Sequence, residues 1–238
     1  MLSATNKIPL DQLPSWERTS FESRFVAHTS QLEREFILCG HELASHPSLA
    51  LDLGCEGGRF SEILAERGWS LICADINPQA LECCQQRNPT ARCILLTEDN
   101  RVLPCADDSL GMLLCIEVPV IATEWFIDEA SRALKPGGVL VGAFQNKLSW
   151  RGIMGHWRAL LEGQFDWYSR SYPEWRGALS KRGFTFIRET GCRWAPFVRT
   201  SNSTLLPFAL AIEQAMRLPR LVALSPLVVF AARKTERM

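Results

Sequence analysis

The run Leu51-Asp52-Leu53-Gly54-Cys55-Glu56-Gly57-Gly58-Arg59-Phe60 joins a carboxylate to a cluster of glycines. Glycines there let the backbone come close to a ligand, and a helix opening after them offers its N-terminal N–H groups to electron-rich atoms. Asp75 follows at about the 20-residue spacing at which an acid meets ribose hydroxyls in nucleotide-binding sheets. The pattern is not the dinucleotide fingerprint Gly-x-Gly-x-x-Gly. Counting from Gly54, Glu56 and Arg59 stand where its second and third glycines belong, which argues against a dehydrogenase.

Other reactive side chains are sparser. The four histidines (His28, His41, His46, His156) show no metal-ligand spacing, and the nine cysteines include no Cys-x-x-Cys pair. The expectation is no metal and reduced thiols, with Cys73, Cys93 and Cys115 serving as small hydrophobes in strand-like runs. His156, followed by Trp157, is the one histidine in the second half of the chain and a candidate general base.

From residue 48 apolar strands alternate with helix-period segments, the signature of a parallel sheet wrapped by helices. Strands are expected at Leu49–Leu53, Ser70–Ala74, Arg92–Leu96, Leu110–Ile116 and Val139–Phe144. The helices between them carry their own signals: Asn77-Pro78 opens one, Thr123 caps another, and Lys135-Pro136-Gly137-Gly138 stops it. Beyond lie a helix at Trp175–Lys181, a strand at Phe184–Glu189, a helix at Leu205–Met216 and a last strand at Leu227–Ala232. The N-terminal stretch is helical around Gln31–Cys39.

Lys+Arg and Asp+Glu both number 26, so no basic footprint points to nucleic acid. The start lacks a continuous apolar run, and no stretch approaches the roughly 20 apolar residues of a membrane span. A soluble, cytoplasmic protein without stable membrane insertion is expected. The apolar stretch Leu205–Ala232 reads as a packed helix and an inner strand more economically than as a lipid contact.

Two further segments make the pattern specific. Glu98 to Leu110 holds an acid, Leu103-Pro104 and Asp108-Ser109, and Glu129 to Gly138 ends a helix before the fifth strand. With the Asp52–Gly58 turn, residues 48–146 resemble class I S-adenosylmethionine-dependent methyltransferases, nearest the type 11 small-molecule group. That resemblance implies a doubly wound, seven-stranded, mostly parallel α/β sheet with an antiparallel last strand. It also implies that Asp52, Gly54, Cys55, Glu56 and the turn through Gly58 surround the methionine end of the cofactor. Asp75 would bind the ribose, Ile76 would pack on adenine, and Asp99 with the Asn100 backbone would meet the adenine edge. Glu117 would lie beside the methionine moiety and the substrate.

Two positions depart from the family pattern. Glu56 stands where glycine is usual, and Ile121 replaces the histidine of a Glu-x-x-x-His motif after the fourth strand, so that position supplies no base. A single domain is expected: an N-terminal helical segment (1–47), the cofactor core (48–146), an aromatic cap with the sixth strand (147–225) and the last strand (226–233). The acceptor pocket is placed between the first and third of these, at Phe21, Phe25, Asn146, Trp150, Trp157 and Tyr172. The function expected is methyl transfer from S-adenosylmethionine to an oxygen or nitrogen of a small-molecule or glycan-type acceptor. The rival is a catalytically degenerate binding or scaffolding protein on the same fold, which Glu56 and Ile121 favour.

Overall fold

The computed structural model describes residues 14–163 and 165–235. Two N-terminal helices, α1 (Ser15–Glu22) and α2 (Arg24–Leu43), precede β1 (Leu49–Leu53), α3 (Arg59–Ala65), β2 (Ser70–Asp75), α4 (Pro78–Arg87) and β3 (Arg92–Leu95). There follow β4 (Leu110–Ile116), α5 (Glu124–Ala133), β5 (Leu134–Gln145), α6 (Trp150–Glu162), α7 (Tyr172–Lys181), β6 (Phe184–Cys192), α8 (Leu206–Ala215) and β7 (Leu227–Lys234). The strands form one seven-stranded sheet in the order β3-β2-β1-β4-β5-β7-β6. β7 runs antiparallel to both neighbours, and the other pairings are parallel.

Local chemistry explains the helix starts. Asn77 accepts from the N–H groups of Gln79 and Ala80, with Pro78 at the first helical position, and Thr123 accepts from Phe126 N–H. Ser149 and Ser171 cap α6 and α7 in the same way.

All of β4 is buried, and its side chains alternate between two cores. Leu110, Leu113 and Cys115 meet Phe126 of α5, Trp175 of α7 and Phe230 of β7. Met112, Leu114 and Ile116 join Phe36 and Ile37 of α2, Leu64 of α3 and Leu81 of α4. The N-terminal helix α2 is therefore part of the layer covering the sheet. It also extends beyond the helix expected around Gln31–Cys39 at both ends.

One expectation is corrected. β7 is an inner strand as foreseen, but α8 is not a packed helix: Phe208 and Ile212 are exposed while Leu206 and Glu213 are its buried residues.

Candidate active site

A cavity of about 910 Å³ opens over the carboxyl ends of β1, β2 and β4, where ligands bind in open α/β sheets. Its wall runs from Asp52 to Glu56, through Asp75 and Ile76, to Leu96–Glu98 and Asn100–Leu103, then to Ile116–Val120 after β4. Trp125, Phe165, Asp166, Trp167 and Ser169 close the other side. The volume lies near the top of the roughly 300–1,000 Å³ range of ligand pockets, enough for a cofactor beside an acceptor.

The glycine turn is fixed by geometry rather than by side chains. Gly54 has φ +72, and a Cβ there would meet Val118 Cγ2 at 2.3 Å. Gly58, at φ +75, forms the N-cap of α3, and its Cβ would strike Cys84 Sγ at 2.6 Å. Gly54 N–H donates to Ala74 O at 2.7 Å, which locks the turn onto β2. Glu56 takes φ +48 in the position where glycine would be easier. Its N–H donates to Asp75 Oδ2 at 2.9 Å, so the departure from glycine is absorbed within an intact turn. Asp75 Oδ1 accepts from Asn77 N–H at 2.9 Å. Two backbone donors thus aim the carboxylate, whose remaining lone pairs serve the cavity that Asp75 lines.

Asp52 is buried and accepts from Ser61 Oγ at 2.6 Å. Burial pushes its carboxyl up to about 7, with the nearby Cys73 adding to the rise and the Ser61 bond opposing it.

Beside it lies a buried charge cluster that joins three parts of the chain. Glu117, at φ +56, pairs with Arg193, and with Arg199 at 3.3 Å. Burial alone would raise the Glu117 carboxyl, but Arg193, Arg199 and Arg59 together hold it below the ordinary carboxylate range. Glu33 of α2 goes the other way, raised by burial and by Glu117. Arg59 lies 3.9 Å from Glu33 and donates to Ser30 Oγ at 2.8 Å. Arg193 also donates to Thr29 Oγ1 at 3.2 Å. Both carboxylate oxygens of Glu117 are therefore engaged by arginines, and it lines the cavity as a neutralised group.

Most cofactor-side residues named from the sequence meet in this cavity: Asp52, Gly54, Cys55, Glu56, Asp75, Ile76, Asn100 and Glu117. Gly58 stands one turn back, shaping α3. Asp99 is exposed and off the cavity wall, which its neighbours Glu98 and Asn100 line.

The acceptor residues are misplaced as a set. Phe21 is exposed on α1, and Phe25 is buried against Phe197. Asn146 is a buried brace bonded to the Ala223 and Ser225 carbonyls and to the Leu148 and Tyr172 N–H groups. Tyr172 is in the core, its hydroxyl donating to Glu189 at 2.7 Å. Trp150 donates to Trp194 O at the surface, and Trp157 is 59% exposed. None of the six lines the cavity, nor does any described residue of the N-terminal helices. Among the aromatic residues that do are Trp125, Phe165 and Trp167. His156 is held off the wall, its Nδ1 2.7 Å from Asp166 Oδ2, and Asp166 is the member of the pair that lines the cavity. Ile121, in the position of the missing histidine, is buried, and its carbonyl accepts from Trp175 Nε1 at 2.6 Å.

The fold also gathers thiols whose sequence spacing shows no ligand pattern. Cys55, Cys73 and Cys84 come from a loop, a strand and a helix, yet their sulfur atoms lie within 4.8 Å of one another. Sequence spacing could not show it, since the fold alone brings them together. No disulfide joins any of the nine cysteines, all of which lie among the described residues.

The comparisons agree with this geometry. Residues 51–142 match the family model described as a methyltransferase domain. No curated protein matches the chain. A geranyl diphosphate methyltransferase, solved with its diphosphate and sinefungin, is 17% identical with a TM-score of 0.61, covering 90% of this chain and 83% of that one. An S-adenosylmethionine-dependent methyltransferase from Thermotoga maritima is 19% identical, TM-score 0.59, covering 92% and 94%. Another from Mesorhizobium loti is 17% identical, TM-score 0.56, covering 82% and 96%. Residues 51–142 therefore carry a methyltransferase domain of type 11, on the fold of class I S-adenosylmethionine-dependent methyltransferases. The chain is thus an enzyme of the transferase class, with S-adenosylmethionine as its cofactor.

Proposed function

We propose that this methyltransferase acts on an oxygen or nitrogen atom of a small-molecule or glycan-type acceptor, held between the glycine turn and the Trp125–Phe165–Trp167 wall. The observation that carries this reading is the single cavity wall shared by Asp75, the Gly54 turn and those aromatic residues. The cradle fits the cofactor on its own terms: a Cβ at Gly54 would strike Val118, which lines it, and Asp75 is already aimed by two backbone donors.

In this reading Asp75 accepts from the ribose hydroxyls, Ile76 packs on the adenine, and Glu98 with the Asn100 backbone meets its edge. Gly54, Cys55 and Glu56 border the methionine end. When bound, the cofactor supplies an electrophilic sulfonium methyl. The chain's task is to hold the acceptor atom in line with it and to exclude water. An apolar, aromatic wall suits a reaction in which positive charge disperses. Any proton released by the acceptor falls to Asp166, which lines the cavity and is braced by His156 and by Tyr168 N–H at 2.9 Å. The general-base role moves from His156 alone to this pair, with His156 as the positioning partner.

Calorimetric titration with S-adenosylmethionine, followed by turnover against a panel of hydroxyl and amine acceptors, tests the reading. Cofactor binding without turnover of any oxygen or nitrogen acceptor would reject the acceptor class.

A further inference from the structure

Helix α6 wears its amphipathic pattern inside out. Its small residues face the protein: Gly152 and Ala159 are buried, a Cβ on Gly152 would meet Asn146 O at 2.2 Å, and one on Gly155 would meet Tyr168 at 2.7 Å. Its large apolar residues, Trp150, Ile153, Met154, Trp157, Leu160 and Leu161, follow helical spacing on the exposed side, Leu161 being 82% exposed.

Helix α8 repeats the inversion. Leu205, Phe208, Ile212 and Met216 are exposed, Phe208 at 74%. Glu213, the one acid between residues 205 and 224, is buried and accepts from Ala195 N–H at 2.8 Å. The same stretch carries two bases, Arg217 and Arg220, and both are exposed.

One segment ties the two helices together. Arg151 of α6 donates to the carbonyls of Arg193, Ala195 and Phe197, and Glu213 of α8 holds Ala195 from the other side. The outward faces therefore flank residues 193–197. After α6 the exposed Phe165 packs edge-on against Trp167 at 5.7 Å, and both line the cavity. A lone protein in water rarely exposes so many large apolar side chains on adjoining helices.

Charge and length select the occupant. The α8 region turns its acid inward and shows only arginines among its exposed charges. Tryptophans stand at the α6 edge, as they do where proteins meet lipid head groups. At 13 and 10 residues the helices are far too short to cross a bilayer, and no helix among the described residues is long and apolar enough to do so. A helix of that length with one broad apolar face lies in the plane of the interface.

We propose that the protein seats peripherally on anionic lipid bilayers through the outward faces of α6 and α8, with Arg217 and Arg220 against the head groups. This goes beyond the methyl-transfer reading and does not depend on it.

Co-sedimentation of the full chain with vesicles tests the proposal, using phosphatidylcholine alone and phosphatidylcholine mixed with phosphatidylglycerol. Binding should be stronger to the mixed vesicles and should weaken with added salt. Phe208→Glu with Ile212→Glu, and separately Met154→Glu with Leu161→Glu, should each lower vesicle affinity by roughly tenfold or more. Arg217→Gln with Arg220→Gln should cost on the order of tenfold on mixed vesicles and leave binding to neutral ones unchanged. Circular dichroism and the cofactor dissociation constant, both expected unchanged, show that each variant is folded. Absence of sedimentation with either vesicle overturns the proposal, as does unchanged binding by the glutamate variants. A concentration-dependent dimer dissolved by those same variants, without vesicle binding, would also overturn it and assign the face to a second copy of the chain.

Discussion

Residues 48–146 and residues 147–225 face each other across one cavity, and they are built on different principles. In the first half the site is backbone: positive-φ turns at Gly54, Glu56 and Gly58, and an aspartate aimed by two main-chain donors. In the second half it is side chain: Phe165, Asp166 and Trp167 on a connection between helices, braced by His156. A cofactor that never changes can be met by rigid main chain. On the proposed reading, the acceptor is met by residues whose replacement leaves the sheet intact.

The seam between the halves is where the largest effect is expected. Arg193, from the cap side, pairs with Glu117, from the end of β4, and their side chains are 14% and 5% exposed. Arg193→Met leaves a buried carboxylate with Arg199 as its remaining partner. Breaking a buried pair from one side costs about 3–5 kcal/mol, with Arg199 keeping the loss toward the lower end. Chemical denaturation should show it. A loss below about 1 kcal/mol would mean that the two halves are held together elsewhere.

The next substitution separates cofactor binding from the cap. Asp75→Ala removes charge-assisted acceptors worth about 1.5–3 kcal/mol each and should weaken S-adenosylmethionine binding by roughly 2–4 kcal/mol, on the order of 30- to 700-fold. The same protein should still sediment with anionic vesicles, because Asp75 belongs to the cavity wall and not to the outward faces of α6 and α8. An unchanged dissociation constant in a folded Asp75→Ala protein would remove the ribose assignment.

These two residues also show what the sequence could and could not tell. The place of Asp75 on the cavity wall was legible because its signal is local: an acid at a strand end, at a set distance from a glycine turn. The capped helices, the sheet and the antiparallel last strand were legible for the same reason or from the family resemblance. The Glu117–Arg193 pair joins residues 76 apart, and the three clustered thiols come from separate elements. No local spacing encodes either. The acceptor aromatics failed for a subtler reason. Trp150 and Trp157 keep perfect helical period with their apolar neighbours, but periodicity defines a stripe without saying whether it faces protein or solvent. The glycines at 152 and 155, on the opposite side of α6, were the available signal that the helix packs by its small face.

A smaller effect follows from Asp52 in the backbone-built half. Its carboxyl, ordinarily near 3.8, is pushed up to about 7 by burial. Between those values the folded state holds more protons than the unfolded one, so stability falls as pH rises through that window. The ceiling on this contribution is about 4 kcal/mol, and partial relaxation makes the measured part smaller. Asp52→Asn should flatten the decline and raise the melting temperature relative to the parent above pH 7. Glu33, raised in the same direction, keeps some slope in the variant. A parent protein whose stability climbs steadily from pH 4 to 7 would contradict the buried, protonated Asp52.

The smallest effects, on stability at least, fall in the cap, where they are the most discriminating. Trp167 is 39% exposed, lines the cavity and packs against Phe165, whereas Trp157 is 59% exposed and lines nothing. Neither is a core residue, so Trp167→Ala and Trp157→Ala should each cost under about 1 kcal/mol of stability. Their activities should part. Trp167→Ala loses an aromatic contact worth about 0.5–1.5 kcal/mol, which predicts roughly a two- to tenfold fall in kcat/KM for the acceptor. Its cofactor dissociation constant should not move, since the ribose and methionine contacts lie on the opposite wall. Trp157→Ala should leave kcat/KM unchanged in a lipid-free assay with a soluble acceptor, and reduce vesicle binding. The two variants thus pull apart what the cavity wall does from what the outward face does. If Trp157→Ala lowers turnover without lipid while Trp167→Ala does not, the acceptor reaches α6 rather than the Phe165–Trp167 wall, and the division between the two faces of the cap is drawn in the wrong place.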